Sequence, residues 1–279
     1  MQEAKTNRRP LLLFLSIVVL YLVLWVVNAR LAVPIEWLRT GSIIASIVFI
    51  GLPIIGIYCG SKLDWTSLKA LLSMASCLAI LALLGLGQTS EPVLVGVLQI
   101  ARLGWPFALG ILVTVLIKDK NLLLPIAVVI ATVDILAVFA PAGTVKQGLE
   151  SETVRPIFDA LAFQVPKFGT IAPQAQLGPA DPLFLGTYFH AVHKFKMRER
   201  ATLIWVLPAL TLYLLVVLAF GHQALFGISL GALPALVPMG IAVLAANFKE
   251  FDPSKEERLM IVAVSLLCLA TLAAAAIIW

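Results

Sequence analysis

Apolar runs of about twenty residues, separated by short polar turns, fill most of the chain. They fall at roughly 10–29, 41–60, 66–88, 92–117, 122–141, 177–196, 201–220, 225–247 and 259–278. A helix of about twenty residues crosses the roughly 30 Å hydrocarbon core of a bilayer. The pattern therefore predicts an all-α polytopic membrane protein with about nine transmembrane helices. The fourth run is long, carries Arg102 and is interrupted by Leu103-Gly104-Trp105-Pro106. It reads equally as one tilted helix or as a broken one. One long connection, at about 142–176, mixes Gly, Pro and both charges, and reads as a loop with a short helix over 151–163. The first run follows a basic start, but its length suits a retained span better than a cleaved signal.

The charges orient this bundle. With the N-terminus inside, fourteen of the 20 Lys and Arg fall in inside segments and five outside, with Arg102 in a span. The expected protein is integral and multi-pass, with a cytoplasmic N-terminus and an outside C-terminus, in a prokaryotic cell membrane. Trp25, Trp37, Trp65 and Trp279 fall near predicted span ends, where interfacial aromatics are expected. The chain is 61% hydrophobic and 13% charged, and no polar stretch is long enough to make a soluble domain. The net charge of +5 lies in short loops, so it signals orientation and no nucleic-acid partner. Cys59, Cys77 and Cys268 are too dispersed for a Cys-x-x-Cys metal site or a disulfide framework.

Against this background three features carry candidate chemistry. Asp134 lies in Val129–Pro141, inside the fifth run, where a charged Asp costs about 2.5–3.5 kcal/mol on insertion scales. Its bland reading is a pairing with Arg102 or Thr132. Asp181 opens the sixth run, flanked by Gly178, Pro179 and Pro182, which place it in or just before a first helical turn; its bland reading is a helix cap. The chain reverses direction between the two, so both carboxylates can reach one depth. Held together they would share a proton, one serving as general base and the other as general acid. The third feature is residues 231–244, where Pro234 and Pro238 leave backbone groups near Leu233, Pro234, Ala235 and Leu236 without helical partners. In a bilayer such groups line a polar cavity or meet protein, and an unwound stretch can pair with an extended substrate. A second Leu-Pro-Ala-Leu at 207–210 reads as a plain proline kink. His190 and His193 read as interfacial, Gly227–Gly231 as a close-packing Gly-x-x-x-Gly pattern, and Arg102 as a counter-charge, a substrate contact or a snorkelling end.

The order Val133-Asp134, Gly178-Pro179-Ala180-Asp181, Leu233-Pro234-Ala235-Leu236 resembles the presenilin and signal peptide peptidase family of intramembrane aspartyl proteases. The segment 177–195 looks most like the signal peptide peptidase side, and the likeness covers roughly residues 122–247. It implies a nine-helix presenilin-like fold, with Asp134 and Asp181 as catalytic residues and Gly178 and Leu233–Leu236 at the substrate. It also implies a two-aspartate hydrolysis of peptide bonds within transmembrane or signal-peptide helices. Ala180, Pro182 and Val133 depart from the family pattern. The implied partners are those substrate helices and the lipid bilayer; no metal and no cofactor is required, because two carboxylates and water suffice. The chain then divides into an N-terminal four-helix region at 1–121, a catalytic region at 122–247 and an extra helix within 248–279. A non-proteolytic relative and a proton-coupled transporter are the alternative readings.

Overall fold

The structure is a computed structural model that describes residues 8–85, 90–140, 152, 155–220, 224–225, 228–229 and 234–278. Leu233 and Trp279, both singled out above, lie outside the described residues. Among the described residues seven helices are long and apolar enough to cross a membrane: Arg8–Arg30, Ile35–Gly60, Ser67–Gly85, Pro92–Leu116, Lys120–Phe139, Glu199–Phe220 and Lys255–Ile277. The chain is thus an all-α, integral multi-pass membrane protein. Its apolar side chains face outward as well as inward; Leu266, Leu267 and Leu269 are 60%, 68% and 61% exposed. A water-soluble fold would bury such a row, whereas lipid accommodates it.

The helices, in chain order, are α1 (Arg8–Arg30), α2 (Leu38–Gly60), α3 (Ser67–Gly85), α4 (Pro92–Leu116), α5 (Leu123–Phe139) and the short α6 (Arg155–Leu161). After them come α7 (Ala180–Lys194), α8 (Glu199–Phe220), α9 (Leu236–Asn247) and α10 (Lys255–Ile278). The fourth run is one continuous helix with Pro106 inside it. The predicted sixth and eighth spans are shorter than expected, at 15 and 12 residues. At 1.5 Å per residue they measure about 22 and 18 Å. Proline and strand set their starts: β2 (Pro173–Leu177) takes the first residue of the sixth run, and Gly178 and Pro179 precede the helix. Strands β3 (Ala224–Leu225) and β4 (Ile228–Ser229) use the beginning of the eighth. Ile228 and Ser229 are strand residues, and the two glycines of the Gly227–Gly231 pattern lie outside the described residues. Pro208, in the earlier Leu-Pro-Ala-Leu copy, lies within α8.

The chain forms two compact units that interleave in sequence. One comprises the chain to Leu116 together with Ala160–His193; the other comprises Ile117–Asp159 and Lys194–Trp279. This partition differs from the chain-order regions 1–121, 122–247 and 248–279, because residues 160–193 pack with the first four helices.

In the first unit α1 packs on α2 and α4, and α3 on α4. Tyr21 and Trp25 of α1 set their rings edge-on to Phe49 of α2, each with centroids 5.6 Å apart. Trp25 is 1% exposed, so it belongs to this aromatic core and not to a lipid interface. The loop expected before the sixth run contains a hairpin, in which β1 (Phe163–Pro166) pairs antiparallel with β2 from Phe163 opposite Leu177. Phe163 and Val165 are buried against the helices.

Polar side chains hold the hairpin in this apolar setting. Asn28, at the end of α1, donates to the carbonyls of Lys167 (3.1 Å) and Thr170 (3.0 Å) and accepts from the Gly169 N–H (3.3 Å). Gly169 has φ +77°, and a Cβ there would meet Val33 and the Leu31 carbonyl. Buried Gln99 of α4 accepts from the Gln164 N–H at 2.9 Å. The Asn28→Ala variant would remove three part-buried hydrogen bonds, leaving the Thr170 carbonyl and the Gly169 N–H without this partner while the Lys167 carbonyl keeps the Thr170 N–H, at a cost of about 1–3 kcal/mol. It is expected to lower the unfolding temperature in detergent and to raise protease cleavage at 167–172.

Candidate functional site

In the second unit, α5 packs against both α9 and α10, and α8 packs against α9. Asp134 is half-buried on α5. Its Oδ2 accepts a hydrogen bond from the Leu236 N–H at 2.8 Å. The carboxylate therefore meets the last residue of the Leu-Pro-Ala-Leu segment, where α9 begins. Of the bland partners, the Thr132 hydroxyl donates to the Val128 carbonyl of its own helix (2.8 Å). Arg102 belongs to the other unit, where its Nε donates to the Ala160 carbonyl (2.9 Å).

Local sequence explains why a backbone donor is presented at this point. The first N–H groups of any helix lack intrahelical partners. Ala235 precedes α9 with φ −73° and ψ −24° and supplies no capping side chain. The first helical bond there runs from the Met239 N–H to the Ala235 carbonyl (3.3 Å). Pro238, third in the helix, has no N–H at all, which is harmless in a first turn. Asp134 thus caps α9 from a neighbouring helix, in the position that a Ser or Asp of the same chain segment would ordinarily take. Pro234 is half-buried, and Ala235 and Leu236 are buried at 7% and 3% exposure.

The far end of α9 is held as firmly. Asn247 is fully buried and donates to the Thr202 hydroxyl (2.7 Å) and the Val243 carbonyl (2.9 Å). It also accepts from the Arg198 N–H (3.0 Å), while the Arg198 guanidinium donates to the Ala246 carbonyl (3.2 Å). A cation on the last carbonyls complements the helix dipole. The short, proline-bearing helix is therefore tied to α5 at one end and to α8 at the other.

Asp181 and Gly178 lie in the first unit. Asp181 is the second residue of α7, and its N–H reaches back to the Gly178 carbonyl (3.2 Å). Ala180, Asp181 and Pro182 are the first three helical residues, a place where a proline costs no backbone bond. The departures from the family pattern at 180 and 182 thus fit a helix start. Helix α7 meets α4 backbone to backbone: a Cβ on Gly110 would collide with the Leu183 carbonyl and approach the Thr187 N (3.0 Å). Thr187 and Thr114 both donate to the Gly110 carbonyl, at 3.2 and 2.8 Å, closing a buried polar seam beneath Asp181. His190, in the last third of α7, has its Nδ1 on the Ser61 carbonyl (2.8 Å).

Sequence reasoning placed Leu236 at the substrate and missed it as the hydrogen-bond donor to Asp134. The signal was Pro238, whose preference for a first turn marks the start of α9. It also missed Gln99 and Asn28, polar residues within apolar runs whose partners lie in the hairpin. Among the described residues no group of three His, Cys, Asp or Glu is arranged to hold a metal ion. Comparison of the chain with family models, curated proteins and solved structures finds no match.

Two glycines offer a contrast that checks the packing below Asp181. Gly110→Ala is expected to destabilise the first unit by about 1–3 kcal/mol, because the backbone it meets cannot yield. Gly178→Ala meets nothing within 4 Å and is expected to leave stability unchanged. Thermal unfolding of the two variants in the same detergent makes the comparison.

Proposed function

We propose that this chain is an intramembrane aspartyl protease of the presenilin and signal peptide peptidase type, cutting peptide bonds within transmembrane or signal-peptide helices. The observation that carries the reading is the Asp134 carboxylate on the Leu236 N–H at 2.8 Å. It joins two of the three sequence features that carry the resemblance. In this reading α7 and α9 complete a nine-span, presenilin-like bundle in a prokaryotic cell membrane, with the N-terminus cytoplasmic and the C-terminus outside. Gly178 and the stretch Leu233–Leu236 receive the substrate as an extended strand.

The reaction needs the two carboxylates within hydrogen-bond reach of one water and of the scissile carbonyl. One carboxylate takes a proton from the water as the water oxygen bonds to the carbonyl carbon. The other gives its proton to the carbonyl oxygen, forming a gem-diol. On collapse the C–N bond breaks and the leaving nitrogen takes the proton held by the first carboxyl. A gem-diol hydroxyl returns a proton to the second, leaving an acid, an amine and the starting dyad. A membrane-buried pair that shares one proton carries a single negative charge, which lowers its burial cost relative to two anions.

Asp134→Asn and Asp181→Asn are each expected to reduce cleavage of a reporter transmembrane helix by at least about a hundredfold, the scale of a lost acid–base group. Size-exclusion profiles and unfolding temperatures should stay close to the parent. Parent-like cleavage by either variant would sink the reading. A second, activity-free check is a short bifunctional thiol reagent applied to the Asp134→Cys/Asp181→Cys double variant in membranes. Internal cross-linking is expected, and its absence alongside efficient labelling of both thiols would overturn the pairing.

A further inference from the structure

Where α1 starts, α2 finishes and α3 starts, the first unit carries a recess that the protease reading does not use. It measures about 280 Å³ and is lined by Leu11 of α1, by Leu63, Asp64 and Trp65 between α2 and α3, and by Lys69 of α3. We propose that this recess holds the headgroup end of one anionic phospholipid. Lys69 and Arg8 take the phosphodiester, and Leu11, Leu63 and Trp65 lie along the start of the acyl chains.

The ends of three spans set the level of the recess, where hydrocarbon gives way to headgroups. One wall is held in place before any ligand arrives. Trp65 Nε1 donates to the Gly60 carbonyl (2.8 Å), and its ring stands edge-on to Phe107 of α4 with centroids 5.7 Å apart. A half-buried Trp at a span end is the side chain that favours the headgroup level, with its apolar body toward the chains. Leu11 and Leu63 extend that apolar wall, and Leu11 is 43% exposed. Apolar walls beneath a charged rim fit an amphiphile; a free phosphate would leave the leucines uncovered.

Charge selects the headgroup. The Lys69 ammonium has three donors and gives one, to the Asp64 carbonyl (3.0 Å), which leaves two for phosphate oxygens. Arg8 is exposed and stands one turn before Leu11 on the same face of α1. Its planar guanidinium can meet a phosphate with two parallel bonds. Lys62 is directed to Tyr58, donating to its hydroxyl (2.7 Å) from 4.0 Å over the ring, and adds positive charge from the next position in the chain. The described charges at this end are thus Arg8, Arg9, Lys62 and Lys69 against Asp64, the one carboxylate in the lining. That excess favours an anionic headgroup over a zwitterionic one.

The test titrates phosphatidylglycerol or phosphatidylcholine into the full chain in a neutral detergent and counts bound lipids by native mass spectrometry. One phosphatidylglycerol is expected to bind at least about tenfold more tightly than phosphatidylcholine, as two basic residues at a charged membrane surface allow. Arg8→Gln and Lys69→Gln are each expected to weaken it about fivefold, the scale of one such residue. Both side chains are exposed, so unfolding temperatures should stay with the parent. Lys249→Gln, on an exposed residue of the other unit, controls for diffuse attraction and should bind as the parent does. Equal affinity for the two lipids, parent-like binding by Arg8→Gln or Lys69→Gln, or an equal loss in Lys249→Gln would overturn the site. Two further arms identify the occupant. Glycerophosphoglycerol, the same headgroup without chains, is expected not to compete at matched concentration, and competition would overturn the lipid in favour of a plain anion. Removal of residues 2–7 is expected to leave the affinity unchanged. A marked gain would show that the chain's own start competes for the recess, and would equally overturn the proposal.

Discussion

One hydrogen bond, from the Leu236 N–H to Asp134, resolves two problems that the membrane poses at once. A carboxylate in a span is costly without a partner, and a helix that starts within hydrocarbon leaves its first N–H groups unmet. Each group is the remedy for the other. The short helix α9 could begin elsewhere only if some other acceptor met its first turn, and Asp134 could be lost only if its donor were met in turn. The proline pair at 234 and 238 fixes where that start falls, because neither residue can extend a helical ladder backward.

The same economy recurs in the first unit, with amide side chains in place of a carboxylate. Asn28 and Gln99 are buried, and each satisfies backbone groups of the hairpin that leads to α7. The hairpin delivers the chain to Gly178, and the backbone contact at Gly110 sets the depth of α7 beneath Asp181. Each carboxylate thus stands at the first turn of a short helix whose position is dictated by buried polar bonds, within apolar surroundings that tolerate few of them.

Much of this was legible in the sequence, and the portions that were not share a cause. Hydropathy located the long helices to within a few residues, because a span must be both long and apolar. It overextended the sixth and eighth runs, because strand residues such as Leu177, Leu225 and Ile228 are as apolar as helical ones over a few positions. The hairpin escaped notice because its two strands are short and its key partner, Asn28, lies far upstream. Trp25 was misread for a related reason: closeness to a span end says where a ring sits along the helix axis, and nothing about which side it faces. The nearness of Asp134 to the Leu-Pro-Ala-Leu stretch was legible as a neighbourhood, but the atom that makes the bond is the main-chain nitrogen of Leu236, which side-chain chemistry does not announce.

The grip of Asn28 on residues 167–170 bears on how the protein is made. The acceptors lie 139 and 142 residues downstream of the donor. A ribosome must therefore finish the first five long helices before that amide finds its mates, and Gln99 waits some 65 residues for its own. Until the hairpin emerges, those amides stand in the bilayer or its insertion machinery without their final company. The first four helices can be inserted early, but their bundle is sealed late, from outside the stretch of chain that forms it.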